Sequence, residues 1–360
     1  MSRRDLDGDE LGRLGEFGLI RRLAGLVPRE GRGVLLGIGD DAAALRPAEG
    51  RDLLATVDML VEGVHFSLDL ATPFQVGWKA LAVSLSDIAA MGGTPRHALL
   101  SLGVPSGMGV AALEEIYRGL GALAEIHEVA VIGGNVARSP RGLFLDSIVL
   151  GEIPRGELLR RDGARPGDAV LLSGPTGRSA AGLALLLAGR GREGTGAGPG
   201  RERLFRAHLQ PEPPVALGEI LRESAGDTAG AGAGALCDLS DGLAAGLWTL
   251  SDASGHRIIL EEDRVPLDKD VLAVAAGLAK DPFEWVLFGG EDYELLVTAR
   301  PGRMTAMVEA AGSRGFELLP VGRVEAGEPA VLLERAGGLR EPLARRGYDH
   351  FGMQAGNNHL

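Results

Sequence analysis

The sequence has little of several things, and each shortage excludes a class of protein. One cysteine, Cys237, allows neither a disulfide framework within the chain nor a CxxC zinc site. No run of 18 apolar residues is present, so no membrane-spanning helix is expected. Basic residues number 37 against 49 acidic ones, and aromatics are 4%, which together argue against a nucleic-acid partner. No signal peptide is visible, and the lone cysteine fits a reducing compartment, so we expect a cytoplasmic protein.

The residues that are present predict a mixed α and β protein with two domains, residues 1–153 and 154–360. Apolar residues make up 45% of the 360, enough for a sizeable core. Strand-like and helix-like runs alternate throughout. Helices are predicted over Thr72–Met91, with Thr72 as the cap, and over Gly109–Glu128. A strand is predicted over Glu284–Thr298.

Acidic residues collect where strands are predicted to end, at Asp40, Asp41, Asp58, Asp238, Asp241, Glu291 and Asp292. Loops at strand ends are where folds of this class place their sites. Asp-Gly turns and ordinary surface acids explain any one of these residues, but seven acids at four such places in one chain favour a functional reason.

Asp87 is predicted to lie in an apolar setting, in the helical run WKALAVSLSDIAAMGG. A carboxylate buried there costs several kcal/mol unless it is paired or binds a metal. The structural alternative is a core hydrogen bond near the end of the helix. Scattered oxygen ligands without cysteine or clustered histidine suit Mg²⁺, which would also let an acidic protein bind a nucleotide.

Three other patterns compete with the magnesium interpretation. GIGDDA after a strand is similar to a dinucleotide-binding loop and favours an NAD(P)-dependent oxidoreductase, although two aspartates would repel a pyrophosphate. SGPTGRS, residues 173–179, is either a phosphate-binding loop or a simple helix start. His65 is a lone histidine beside an apolar stretch and by itself is more typical of a structural residue.

Seven motifs in order resemble the thiamine-monophosphate kinase family over about Gly15 to Phe351. They are GIGDDAA, TVDMLVEGVHF, KALAVSLSDIAAMGG, GGN, CDLSDGL, FGGEDYEL and GYDHF. The resemblance implies the two-domain aminoimidazole ribonucleotide synthetase-like fold, an α+β (mixed α/β) architecture. Its N-terminal domain would form a homodimer and its C-terminal α/β domain would cover the nucleotide. The implied activity is direct transfer of the ATP γ-phosphoryl group to thiamine monophosphate, with several Mg²⁺ ions.

The resemblance also assigns roles by position. The implied magnesium ligands are Asp41, Thr56, Asp58, Asp87, Asp238 and Asp241, with Asp87 and Asp241 also catalytic. The implied ATP contacts are Gly134, Asn135, Arg161 and Ser240. The implied thiamine-phosphate contacts are His65, Glu291 and Tyr348.

Two departures from the family pattern affect particular metal contacts. The usual GGD is Gly133-Gly134-Asn135 here, so an amide replaces a carboxylate. The usual Ser-Thr-Asp is Thr56-Val57-Asp58, which loses one hydroxyl. A non-catalytic nucleotide-binding subunit of the same fold is the remaining alternative, and it would be favoured by the loss of several aspartates. Only one is altered.

Overall fold

The computed structural model describes residues 14–15, 18–38, 42–189, 198–224, 233–348 and 350. The strands are β1 Val34–Leu36, β2 Ala44–Leu45, β3 Arg51–Val61, β4 Thr94–Pro105, β5 Ala130–Ser139, β6 Phe144–Pro154, β7 Ala169–Leu172, β8 Ala233–Asp238, β9 Arg257–Glu261, β10 Leu295–Ala299, β11 Leu319–Glu325, β12 Ala330–Glu334 and β13 Arg340–Pro342. The helices are α1 Pro73–Ala90, α2 Val110–Ile126, α3 Arg178–Leu187, α4 Pro199–Leu209, α5 Val215–Ser224, α6 Leu243–Ser254, α7 Lys269–Leu278, α8 Pro282–Phe288 and α9 Met304–Ser313. None of the helices in these ranges has the length and hydropathy of a membrane span.

The chain divides into two compact units. The first contains the described residues up to Ile88 together with Thr94–Ile153, and the second contains Ala89–Gly93 with the described residues from Pro154 onward. The predicted roles of residues 1–153 and 154–360 as functional domains stay predictions.

The first unit is built on a sheet whose described strands are ordered β3-β6-β4-β5. β4 pairs parallel with β5 and antiparallel with β6. Along β3 the side chains of Leu54 and Leu60 are buried, whereas Leu53, Val57 and Met59 are exposed. Alternate residues of a strand point to opposite faces, so one face of this edge strand is packed and the other is open and apolar.

Helix α1 begins where its sequence predicts. The Thr72 hydroxyl accepts a hydrogen bond from the Gln75 backbone N–H at 3.3 Å, and the Gln75 side chain accepts one from the Thr72 N–H at 2.9 Å. This reciprocal pair satisfies two backbone donors that a helix start would otherwise leave unbonded. Pro73 follows in the first turn, where its fixed φ suits a helix.

Helices α1 and α2 approach each other through glycines. A Cβ atom at Gly77 of α1 would overlap the carbonyl oxygen of Ile116, and one at Gly119 of α2 would overlap the carbonyl oxygen of Phe74. Both positions therefore require glycine for the helices to reach their observed separation.

The second unit is built on a sheet with the order β13-β12-β9-β11-β7-β10-β8 among the residues described. Its pairings are antiparallel except for the parallel pair of β12 and β9. Its core contains Leu172, Cys237, Leu247 and Leu296, all at most 2% exposed. A buried ion pair between Asp168 and Arg300 lies at the same sheet.

The strand predicted over Glu284–Thr298 is wrong in its first part. Pro282–Phe288 is helix α8, and strand β10 begins only at Leu295. The Asp281 side chain accepts a hydrogen bond from the Phe283 N–H at 2.9 Å, so an aspartate cap followed by proline starts a helix here. The residue types of Trp285–Phe288 favour a strand, and this local cap overrides that preference.

The close helix crossing gives a stability prediction. Gly77→Ala and Gly119→Ala are each expected to lower the free energy of unfolding by about 1–3 kcal/mol or more, because the added methyl group forces the helices apart. Gly312→Ala in α9 is the matched control, since a Cβ there meets nothing within 4 Å. It is expected to stabilise the protein by up to about 1 kcal/mol, as alanine does in a helix. Urea denaturation of the three variants is the measurement, and equal midpoints would show that the crossing is not tight.

Candidate active site

Two hydrogen bonds join β3 to α1 in the first unit. The Thr56 hydroxyl donates to the Asp87 carboxylate, and the Ser84 hydroxyl donates to the Asp58 carboxylate, the latter at 2.8 Å. Thr56 and Asp58 share a face of β3 because they are two residues apart, and Ser84 and Asp87 share a face of α1 because they are three apart. We call these four residues the carboxylate seam. The prediction that Asp58 ends its strand is wrong, because β3 continues to Val61.

The carboxylate seam places Asp58 in a partly buried site near other carboxylates. Burial, together with the neighbouring Asp87 and Asp146 carboxylates and against the Ser84 hydrogen bond, raises the pKa of Asp58 to about 6. A nearby cation stabilises the charged form of a carboxylate whose pKa is raised in this way.

The donor set of the seam fits a hard divalent cation. Two carboxylates and two hydroxyls leave room for water and phosphate oxygens, which is how Mg²⁺ is usually held beside a nucleotide. Within the described ranges, no group of three or more histidine, cysteine, aspartate or glutamate side chains is arranged to hold a metal ion. Asp41, together with Asp40, lies outside the described residues.

Asp87 is half-buried on α1, next to the fully packed Ile88 and Ala89. Its hydrogen bond from Thr56 is the contact that the structural alternative requires. The same contact places the carboxylate beside Asp58, as the metal interpretation requires. The geometry is compatible with a structural hydrogen bond and with a metal site, and the negative charge around Asp58 favours the metal site.

Gly134 and Asn135 lie on β5. A Cβ at Gly134 would overlap the carbonyl oxygen of Leu100, so the adjacent strand requires glycine there. Asn135 is exposed and pairs in register with Ser101 of β4, which pairs on its other side with Asp146 of β6. The three side chains form a row on one face of the sheet, with Asn135 about 10 Å from Asp146 by strand spacing.

The predicted acids of the second unit meet at the end of β8, which finishes at Asp238. The Glu291 N–H donates to the Ser240 carbonyl at 2.7 Å, and the Tyr348 N–H donates to the Asp241 carbonyl at 3.2 Å. Burial raises the pKa of Tyr348, and the carboxylates of Glu291 and Asp241 raise it further. These loops therefore bring Asp241, Glu291 and Tyr348 together.

Glu291 adopts a left-handed backbone, with φ of 64°, which non-glycine residues rarely do. Its carboxylate lies 3.3 Å from Nδ1 of the buried His208, and that nitrogen is also 3.0 Å from the Ser179 hydroxyl. Strained residues of this kind collect at binding sites. Sequence reasoning missed His208, because only the fold brings it next to Glu291.

Arg161 lies close to β8. Burial raises the pKa of the Cys237 thiol well above its usual value, the Asp238 carboxylate adds to this, and the Arg161 guanidinium opposes it. Arg161 is thus within electrostatic range of the strand that carries Asp238. The buried, protonated thiol has no nucleophilic role.

In the SGPTGRS loop, backbone N–H groups at the start of α3 bind a side chain of the protein and not a phosphate. The Asp292 carboxylate accepts hydrogen bonds from the N–H groups of Gly177 at 2.6 Å and Ser179 at 3.0 Å, so it caps α3. Burial raises the pKa of Asp292 to about 7, and these two hydrogen bonds act against the rise. The helix-start interpretation is the one that the geometry supports. No short-range signal could have predicted a cap from a residue so distant in sequence.

A dinucleotide-binding loop at GIGDDA requires a helix directly after it, and the described residues that follow do not form one. In the described residues from 42 to 71, the chain forms β2 and β3 and no helix follows the loop. β1 and β2 pair antiparallel, whereas a dinucleotide fold needs a strand, a turn and a helix in that order. The oxidoreductase alternative is not favoured.

His65 lies in the loop after β3 and is half-buried. Its backbone carbonyl accepts a hydrogen bond from the ammonium group of Lys79 at 3.2 Å. The histidine is therefore attached to α1, the helix that carries Ser84 and Asp87.

Comparison with known proteins gives consistent results. Residues 39–153 match the family described as AIR synthase related protein, N-terminal domain. The chain is similar to the thiamine-monophosphate kinase of Bacillus subtilis (strain 168), with 34% identity over 319 residues, which cover 88% of this chain and 93% of the relative.

Solved structures agree with these sequence matches. The thiamine-monophosphate kinase of Stenotrophomonas maltophilia K279a has a TM-score of 0.76 and 35% identity, covering 89% of this chain and 96% of that one. AaThiL complexed with AMPPCP and TMP has a TM-score of 0.73 and 33% identity, covering 95% of this chain and 98% of that one. The predicted aminoimidazole ribonucleotide synthetase-like fold is confirmed.

The raised pKa of Asp58 gives a prediction on pH and metal. Without metal, protonated Asp58 stabilises the fold at pH below 3.8, and this stabilisation is lost as the pH rises through about 6. Asp58→Asn is expected to remove this pH-dependent loss of folding stability, which is roughly 3 kcal/mol at most. Addition of Mg²⁺ at neutral pH is expected to raise the melting temperature of the natural protein more than that of the variant. The measurement is thermal denaturation at acidic and neutral pH.

Asp263→Asn, at an exposed carboxylate, is the control and should behave as the natural protein does. If Asp58→Asn shows the same pH and Mg²⁺ dependence as the natural protein, the carboxylate seam is not the metal site.

Proposed function

Because the chain belongs to the thiamine-monophosphate kinase family, we propose that it transfers the γ-phosphoryl group of ATP to thiamine monophosphate. The products would be thiamine diphosphate and ADP. Relatives at about 35% identity cover most of the chain and carry this name, and AaThiL binds AMPPCP and TMP. Within the structure, the observation that carries the proposal is the carboxylate seam, because a bound cation would stabilise the neighbouring carboxylates of Asp58 and Asp87.

The roles given by the resemblance are proposed for this chain. Asp41, Thr56, Asp58, Asp87, Asp238 and Asp241 would hold Mg²⁺, and Gly134, Asn135, Arg161 and Ser240 would contact ATP. His65, Glu291 and Tyr348 would contact thiamine monophosphate. Magnesium, when bound, neutralises phosphate charge in such transfers.

The chain's own residues contribute positioning. The Thr56 and Ser84 hydroxyls orient the two carboxylates of the seam. The loop ends of the second unit bring Asp241 beside Glu291 and Tyr348. Direct transfer needs no covalent intermediate, so alignment of the two substrates supplies much of the rate.

We also propose a homodimer formed by residues 1–153. The open face of β3 exposes Val57 by 60%, Leu53 by 57% and Met59 by 52%. Leu35 and Leu36 of β1 are exposed as well. Several exposed apolar side chains on one strand face are typical of an association surface, and a second copy of this chain would cover them. A cytoplasmic location remains part of the proposal.

The kinase assignment predicts equal amounts of thiamine diphosphate and ADP from ATP, Mg²⁺ and thiamine monophosphate. Asp87→Asn is expected to lower kcat by about 10²-fold or more, because it removes charge from the metal site. Its amide oxygen still accepts from Thr56, so the melting temperature should hardly change. Product analysis by chromatography is the measurement, with Asp263→Asn as a control that keeps its activity.

Formation of ADP without thiamine diphosphate would contradict the assignment. Full activity of Asp87→Asn combined with a much lower melting temperature would mean that Asp87 is structural.

If the protein forms the proposed homodimer, sedimentation at micromolar concentration should show a species of twice the 37.4 kDa chain mass. Val57→Asp is expected to shift it toward the monomer, because a charge on the covered face has to be desolvated. Leu339→Asp is the matched control, since Leu339 is 62% exposed against 60% for Val57. A monomeric natural protein, or dimers that resist both changes equally, would count against this surface.

A further inference from the structure

Helix α4 places a buried histidine against the start of α3. His208 lies in the last turn of α4 and is only 4% exposed. The two helices cross closely at Gly182 of α3, where a Cβ atom would overlap the backbone carbonyl oxygen of Leu204 in α4. Ser179 and Gly182 share a face of α3 because they are three residues apart, so the same crossing brings His208 next to Ser179.

The imidazole of His208 has two polar neighbours at one ring nitrogen. Its Nδ1 lies 3.0 Å from the Ser179 hydroxyl and 3.3 Å from a carboxylate oxygen of Glu291. An ionised carboxylate can only accept a hydrogen bond, whereas a hydroxyl can donate or accept. An unprotonated Nδ1 would direct its lone pair at the carboxylate. The arrangement therefore favours a proton on Nδ1 that is donated to Glu291, and the Ser179 hydroxyl can adapt to it.

The backbone around Glu291 is fixed by contacts that do not involve His208. The N–H groups of Glu291 and Tyr293 donate to backbone carbonyls of the loop after β8, at 2.7 and 3.0 Å. Between these two residues, Asp292 caps α3. The path of the loop is therefore set by these hydrogen bonds, and the contact with His208 adds the orientation of one side chain, that of Glu291.

The Glu291 side chain lies at the boundary between the interior and solvent. It is 25% exposed, so part of it is accessible to a ligand while the buried His208 contacts its carboxylate. Holding a side chain in one orientation before a ligand arrives removes the entropic cost of ordering it on binding. A histidine behind this carboxylate is placed to supply that preorganisation.

We propose that His208 is a positioning residue whose Nδ1–H donates to the Glu291 carboxylate and holds it in the orientation that binds the acceptor substrate. The inference rests on the proposed function for the contact between Glu291 and thiamine monophosphate. It adds a residue that acts on substrate binding through Glu291 and has no substrate contact of its own.

Nitrogen-15 NMR of the histidine side chains tests the proton on Nδ1 without turnover. The chain has seven histidines, and the signals lost in His208→Asn identify those of His208. At neutral pH the expected result is a protonated Nδ1 whose signal shifts in Glu291→Gln. An unprotonated Nδ1 in the natural protein, or a signal that Glu291→Gln leaves in place, would overturn the inference.

Two substitutions at His208 separate its ring nitrogens. The amide nitrogen of asparagine reaches the place of Nδ1, whereas that of glutamine reaches the place of Nε2. His208→Gln is expected to raise KM for thiamine monophosphate about tenfold, with KM for ATP unchanged, because the donor to Glu291 is lost. His208→Asn is expected to recover most of this loss.

His256→Gln, the same substitution at a half-buried histidine elsewhere in the second unit, is the control and should leave both KM values unchanged. Equal impairment of His208→Gln and His208→Asn, or an equal rise of both KM values, would indicate a structural role and contradict the proposal.

A double-mutant cycle tests whether His208 acts through Glu291. Glu291→Gln alone is expected to lower kcat/KM for thiamine monophosphate. Adding His208→Gln to it should change that value by less than about twofold, because no carboxylate remains to be positioned. A further tenfold loss would mean that His208 acts independently of Glu291, which the proposal does not allow. If His208→Gln does not fold, NMR of the natural protein and of Glu291→Gln decides.

The two proposals fail separately. No thiamine diphosphate from the natural protein would overturn the proposed function. Normal turnover with an unprotonated Nδ1 in His208 would overturn only the inference about His208.

Discussion

Repulsion between Asp58 and Asp87 is the constraint around which the first unit is arranged. Bringing two carboxylates together in a partly buried place raises the free energy of the folded protein, as the raised pKa of Asp58 shows. Two hydroxyls, from Thr56 and Ser84, offset part of that cost. In the proposed function a bound cation would offset the remainder, and the fold would then be less stable without metal than with it. Such a trade of stability for function is common where charges must be preorganised.

Strand β3 serves two purposes because its side chains alternate. Thr56 and Asp58 point toward α1 and form the carboxylate seam, whereas Val57 and Met59 point to the open face. A register slip of one residue would exchange the two sets, placing Thr56 and Asp58 on the apolar face and Val57 in the carboxylate seam. The proposed catalysis and the proposed association are thereby tied to a single register. The Val57 that replaces a family hydroxyl lies on the open face, so its loss removes nothing from the seam.

The sequence predicted what local patterns control. Thr72, Gln75 and Pro73 start a helix by contacts within one turn, and this helix was placed correctly. The acids that follow β8 were predicted to belong to a site because strand ends gather in such folds, and that role stays a prediction. Helix α8 was missed because strand-favouring residues hid the Asp281 cap. The cap on α3 by Asp292, the Glu291 contact with His208 and the Lys79 contact with His65 were beyond prediction, because each joins residues that only the fold brings together.

Asn135 shows how the same electrostatic constraint acts on a departure from the family pattern. Its row on the sheet already contains Asp146, whose charge raises the pKa of Asp58. A carboxylate at position 135 would add one more negative charge to that face, worth on the order of 1–2 kcal/mol of repulsion at about 10 Å and an effective dielectric near 20. The amide avoids that repulsion in the metal-free protein and keeps an oxygen that can accept a hydrogen bond from a coordinated water. If Mg²⁺ binds at this face as proposed, the amide also gives up attraction for the cation. The substitution is then expected to exchange metal affinity for stability of the metal-free fold, with the carboxylates of the seam supplying the charge that Asn135 does not.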